Sequence, residues 1–107
     1  MRPIFHPQPH EFALTTVFHA LSDPIRLEIV RKLASIPEQS CGWFEMGLTK
    51  STLSHHFRVL REAGVIRTRI AGTQRFISLR QEDLESRFPG LLALVLRESL
   101  SDSARRQ

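Results

Sequence analysis

Apolar residues recur at three- and four-residue spacing along most of this chain and alternate singly along one short stretch. That is the pattern of a helical protein with a small hairpin. Residues 10–21 place Phe12, Ala13, Val17, Ala20 and Leu21 on a helical repeat. Ser22-Asp23-Pro24 then marks a sharp new start. Asp23 suits an N-cap, where its carboxylate accepts from free backbone amides, and Pro24 suits the first helical position, where a missing N–H costs nothing. Ile25, Ile29 and Leu33, flanked by Leu27 and Val30, give this second helix two apolar faces, so it is predicted to be the central buried one, broken by Pro37. Residues 38–47 predict a short third helix over Glu38 to Met46 with Trp43, Phe44 and Met46 inward; Gly42 weakens its propensity, and Gly47 fits a left-handed helix end.

A fourth helix follows from an N-cap at Thr49 to about Ala63. Leu53, Phe57 and Leu60 form its core stripe, with His56 beside them as a structural histidine expected to bond to backbone. Lys50, Ser51, Thr52, Ser54, His55 and Arg58 lie towards the other side. Gly64 followed by Val65 fits a Schellman end, in which the apolar residue after the glycine packs back. Residues 65–71 and 74–80 alternate as two strands, and the loop Gly72-Thr73, glycine first, fits a type II′ hairpin turn. After Arg80 the chain turns helical again over 82–101, with Leu84, Phe88, Leu91, Leu92, Val95, Leu96 and Leu100. One face of a small domain cannot cover the run LLALVL, and a two-fold dimer interface would bury the excess. Residues 1–9 carry three prolines and read as an extended arm from which Ile4 and Phe5 can dock, and residues 101–107 read as frayed.

With 107 residues the chain is one small domain, and 41% hydrophobic with 24% charged residues is globular composition. The net charge of +4 is unevenly spread. Residues 49–80 hold seven cations against one carboxylate, Glu62, a net of +6, while the rest of the chain, at eight against ten, carries −2. Positive charge thus gathers on the fourth helix and the hairpin, where a polyanion would sit. Serine, threonine, lysine and histidine on an exposed helix face reach base edges and phosphates in a major groove, and a basic ribbon beside it follows the backbone. The segment therefore predicts DNA contacts from Lys50, Ser51, Thr52, Ser54, His55 and Arg58 on a recognition helix, and from Arg67, Arg69, Thr73, Gln74 and Arg75 on a wing, with the arginines clustered near its tip. The bland alternative is a solvated polar face. The predicted fold is mainly α with a two-stranded β-hairpin wing, a winged helix-turn-helix in which residues 38–63 are the helix-turn-helix and 65–80 the wing.

Two segments resemble the ArsR/SmtB family of winged-helix transcription regulators: HALSDPIRLEIVRKLA at 19–34 and STLSHHFRVLREAGVI at 51–66. The resemblance covers about residues 11–100. It implies a homodimer joined through the first and last helices, 10–21 and 82–101, with recognition helices in successive major grooves of a palindromic operator. It also implies a repressor that releases double-stranded DNA on a small signal. The chain departs from the metal-sensing members. Where those carry a Cys-x-Cys motif it has Ser40-Cys41-Gly42-Trp43-Phe44, and residues 81–107 contain no histidine. A soft-metal site needs about three or four thiolate or imidazole ligands, so neither a metal nor a cofactor is expected.

A single cysteine, Cys41, excludes an internal disulfide. At the start of the predicted third helix it is a possible thiol sensor, since a helix start stabilises thiolate. Cys41 with His55 or His56 also imitates a thiol–imidazole pair, but no phosphate loop, nucleophile elbow or carboxylate pair accompanies it, so no enzyme activity is expected. No stretch approaches the roughly 20 apolar residues of a membrane span, and the N-terminus lacks a signal peptide's apolar core, so a cytoplasmic location is expected. The predicted function is a sequence-specific, homodimeric DNA-binding repressor with an unknown small-molecule or redox effector. The alternative is a winged-helix protein-interaction module without specific DNA binding.

Overall fold

The computed structural model describes residues 4–105, with side chains to Glu98. After a short 3-10 turn at Pro9–Glu11 come α1 (Leu14–Leu21), α2 (Pro24–Leu33), β1 (Gln39–Ser40), a 3-10 turn at Cys41–Trp43, α3 (Lys50–Ala63), β2 (Ile66–Ala71), β3 (Gln74–Leu79), α4 (Gln81–Arg87) and α5 (Leu91–Arg105). The three strands form one antiparallel sheet in the order β1-β3-β2. Val17 and Ala20 of α1, Ile29, Val30 and Leu33 of α2, Phe57 and Leu60 of α3, Val65, Ile66 and Ile77 of the hairpin, Leu84 and Leu92 meet in a single core, closed by Phe12 and Phe44.

Local chemistry explains the boundaries. Asp23 caps α2, its carboxylate accepting from Ile25 N at 2.8 Å and Arg26 N at 3.1 Å. Gly64 has φ +92°, and the amides of Gly64 and Val65 reach back to the carbonyls of Arg61 at 3.0 Å and Leu60 at 2.9 Å, the two bonds of a Schellman end. The hairpin pairs Ala71 with Gln74 across Gly72-Thr73. Only Gly72 of that loop has positive φ, as a type II′ turn requires.

Four expectations change. The third helix over Glu38–Met46 is absent: Gln39 and Ser40 pair with Ile77 and Phe76 instead, and only one 3-10 turn follows. Edge pairing to β3 satisfies backbone groups that a short, glycine-containing helix would hold poorly. Phe44 is buried and Met46 packs against the core, as predicted, but Trp43 stays 45% exposed. The helix over 10–21 begins only at Leu14, after the 3-10 turn. The helix over 82–101 is two helices, because Pro89 cannot continue a helix and Gly90, at φ +85°, reverses the chain. The backbone of α5 is described to Arg105, while the side chains from Ser99 onward, Leu100 among them, and residues 1–3 and 106–107 altogether lie outside the described residues. Among the described residues no helix is long and apolar enough to cross a membrane.

Candidate nucleic-acid interface

The apolar stripe of α3, with Phe57 and Leu60 buried and Leu53 half-buried, fixes which side of the helix faces outward. Lys50, Ser51, Thr52, Ser54, His55 and Arg58 are all exposed on it. Thr49 caps its start, accepting from Thr52 N at 3.2 Å, while the Thr49 hydroxyl donates to Thr52 Oγ1 at 2.9 Å. Arg58 lies 3.4 Å from His55 Nδ1 and 3.9 Å from Glu62, both contacts at the long limit of useful interactions. The Lys50 side chain has no hydrogen bond or ion pair among the described residues.

The wing arginines do not form one cluster. The register sets Arg67 opposite Ser78, Arg69 opposite Phe76, and Arg75 opposite Ile70. Directly paired residues share a face and successive residues alternate, so Arg67 and Arg69 lie on one face of the sheet and Arg75 on the other, towards α3. Only Arg75 is adjacent to the Gly72-Thr73 tip with Gln74. Arg67 reaches Asp83 of α4 at 3.5 Å. Arg69 is held by Glu38 in a two-armed ion pair, at 3.0 and 2.7 Å, and lies 4.7 Å from the Phe76 ring centre. It therefore clamps β2 to the segment before β1 across β3, and Arg69 holds the Glu38 carboxyl below its usual range. Arg75 has no such partner among the described residues.

Arg80, the seventh cation of the basic segment, is structural. It is 6% exposed, donates to Pro7 O at 2.8 Å and Asp83 at 2.9 Å, and stacks over Phe12. The N-terminal arm docks along this edge through its backbone and His6, with Phe5 itself left exposed. Arg61 Nε donates to Phe5 O at 3.2 Å, and the edge amide of Thr68 donates to His6 Nε2 at 3.0 Å. Burial pushes His6 below the usual imidazole range; a backbone bond at Ile4 opposes this, and Arg61, Arg80 and Arg67 reinforce it.

His56 is structural, but its partner is a side chain. Its Nδ1 lies 3.1 Å from Arg26 Nη1, with Asp23 at 3.9 Å. Burial lowers its affinity for a proton, the Asp23 carboxylate opposes that, and the Arg26 guanidinium adds to it. Arg26 is the residue that sequence reasoning missed. Buried at 8% exposure, it donates through Nε to Ala20 O at 2.6 Å and through Nη2 to His19 O at 3.2 Å. One side chain thus satisfies the Ala20 carbonyl, shares the His19 carbonyl with the amide and hydroxyl of Ser22, and ties the end of α1 to α3. The signal was legible: Arg26, Ile29, Val30 and Leu33 stand at i, i+3, i+4 and i+7, so the arginine occupies the buried stripe.

Cys41 sits in the 3-10 turn, not at the start of an α-helix, so the proposed ground for a stabilised thiolate is missing. Half-burial pushes its thiol up, with Arg75 opposing. Among the described residues no group of three or more His, Cys, Asp or Glu converges as metal ligands.

This geometry coincides with similarity to known proteins. The family profile described as bacterial regulatory protein, arsR family, matches residues 23–68, from the cap of α2 to the middle of β2. The chain is 43% identical over 81 residues, 71% of its length and 79% of the other's, to an uncharacterized HTH-type transcriptional regulator, YceK of Bacillus subtilis. It is 34% identical over 73 residues to the arsenical resistance operon repressor of Staphylococcus xylosus, covering 67% of this chain and 70% of that one. The transcriptional repressor BigR of Xylella fastidiosa superposes with a TM-score of 0.57 at 32% identity, over 70% of this chain and 85% of BigR. A crystal structure of an ArsR family transcriptional regulator covers 94% of both chains at a TM-score of 0.58 and 20% identity, a likeness of fold. A capped helix with an outward polar face, a hairpin wing and these relatives agree: the chain belongs to the arsR family of bacterial regulatory proteins, DNA-binding winged helix-turn-helix transcription regulators and not enzymes.

Proposed function

We propose that the protein acts in the cytoplasm as a homodimeric repressor that binds a roughly palindromic double-stranded operator and releases it on an effector signal. The observation that carries this reading is the outward face of α3, where Lys50, Ser51, Thr52, Ser54, His55 and Arg58 are all exposed beside a wing whose Arg75, Thr73 and Gln74 line a shared cleft with Lys50 and Ser54. Ser54 and His55 are assigned to base edges, Lys50, Arg58 and Arg75 to phosphates. Dimerisation is supported by exposed apolar side chains on the two helices that the family resemblance implicates, Leu14 and Phe18 of α1 and Leu94 of α5. Such a dimer would set half-sites about one helical turn apart. A small-molecule effector suits the site better than thiol oxidation, because the Cys41 thiol is half-buried and its ionisation disfavoured.

The test is a titration of the DNA upstream of the protein's own gene against a scrambled duplex, with wild type and a Ser54→Ala/His55→Ala variant. The expected result is discrimination by the wild type that the variant loses while keeping its circular dichroism. Equal discrimination by both removes these residues from the reading surface, and absence of binding to any duplex favours an acidic protein partner for the basic face.

A further inference from the structure

The cleft between α3 and the hairpin has a volume of about 670 Å³, the size of a site for a small organic molecule. Its base is apolar, built by Leu53 and Phe57 of α3 with Ile77 of β3 behind them, and Lys50, Arg61 and Arg75 stand around it. Among the described residues no carboxylate lines it. Lys50 and Arg75 have no partner among the described residues, and Arg61 donates only to the neutral Phe5 carbonyl. The three cations therefore share one cleft with no carboxylate in its lining, and Glu62 acts on Arg61 from outside it. Burial disfavours the charged form of Arg61; Glu62 offsets this in part, and Arg75 and Arg58 add to it. An anion entering the cleft would relieve that repulsion. A DNA phosphate would meet the cationic rim alone and leave the apolar base unused, whereas a molecule with an anionic head and an apolar body matches both.

We propose that this cleft binds a small amphipathic carboxylate, with its head between Lys50 and Arg75 and its body on Leu53 and Phe57, and that the bound molecule competes directly with DNA. The competition rests on the DNA-binding reading above; the binding itself does not. A ligand here would occupy the space between the recognition helix and the wing, and its single negative charge would engage and partly offset Lys50 and Arg75, two of the cations assigned to phosphate. Release would need no long-range conformational change.

The experiment is a DNA-free titration of the isotope-labelled protein with octanoate, followed by amide NMR, beside inorganic phosphate and octanol. Saturable shifts at Gly42, Ser54 and Thr73, with octanoate binding at least tenfold more tightly than either comparison compound, are expected. Arg75→Gln should weaken octanoate about tenfold, the loss of one charge-assisted contact, with an unchanged spectrum elsewhere. Equal binding of octanoate and phosphate would overturn the apolar half of the proposal. Equal binding of octanoate and octanol would overturn the anionic half, and shifts mapping elsewhere would overturn the site. In a second arm octanoate is added to the protein–DNA complex, where displacement at concentrations matching the NMR affinity is expected. Octanoate bound in the cleft without displacing DNA would overturn the competition. A protein that binds no duplex at all would remove the DNA reading, while the first arm still decides whether the cleft takes the ligand.

Discussion

Gly64, the joint between α3 and the wing, is the position where a single methyl group should do most damage. Two separate costs apply to Gly64→Ala. The residue sits at φ +92°, in the left-handed region, where a side chain costs about 1–2 kcal/mol. The new Cβ would also lie 2.6 Å from Phe12 Cδ1 and Cζ and nearer still to Cε1. Phe12 cannot readily yield, because it is 3% exposed and stacked under Arg80. Overpacking of this kind costs roughly 1–3 kcal/mol, for a total of about 2–5 kcal/mol. At about 4–8 °C per kcal/mol for a domain of this size, the melting temperature should fall by at least about 8 °C. Gly72→Ala is the internal comparison. It has φ +63° but open space around its Cβ, so only the conformational cost of about 1–2 kcal/mol applies. Thermal and urea denaturation of both variants, at one protein concentration, measure the difference. Combining Gly64→Ala with Phe12→Leu should recover part of the loss, a coupling of about 0.5–3 kcal/mol. Equal losses at Gly64 and Gly72, or no coupling to Phe12, would refute the argument.

The remaining predictions concern charge, protons and association. Arg75→Ala should flatten the dependence of log Kobs on log salt by about 0.9, one phosphate contact, and Arg69→Ala by less, since Glu38 already neutralises Arg69; a larger effect at Arg69 would reverse the assignment. His6 and His56 both hold their protons less tightly folded than unfolded, so their stabilisation is complete above about pH 6.5 and is lost as pH falls from there through their lowered folded values. Melting curves from pH 8 to 5 should show this decline, reduced by His6→Gln, which keeps an acceptor for Thr68 N–H; stability rising on acidification would contradict it. Phe18→Glu with Leu94→Glu should sediment as folded monomer, whereas Leu92→Glu should unfold, because Leu92 is 8% exposed; a dimer surviving the double change would place the interface elsewhere.

Much of the fold is legible in the sequence because its signals are local. Asp23-Pro24, Thr49, Gly64 and the Gly72-Thr73 turn fix helix and hairpin boundaries through the nearest backbone groups, and the structure places each as predicted. The segment 38–46 is different. Its secondary structure is decided by pairing with β3, more than thirty residues on, and no local periodicity records that. The polar face of α3 followed from its apolar stripe, since one face of a helix determines the other. The grouping of the wing arginines is not legible from spacing alone, because the alternation of paired strands sends Arg69 and Arg75 to opposite faces. The roles of Arg26 and Arg80 depend on the carbonyls that they satisfy, Ala20, His19 and Pro7, and those partners come into reach only in the folded chain.

The central claim is sequence-specific reading of DNA by α3. Selection from a pool of random duplexes, carried out in parallel with the wild type and the Ser54→Ala/His55→Ala variant at near-physiological salt, tests it most directly. The account predicts that the wild type enriches an inverted repeat with half-sites about one helical turn apart, and that the variant enriches a weaker or different sequence. A wild-type pool without enrichment, or an identical motif from both proteins, would contradict it.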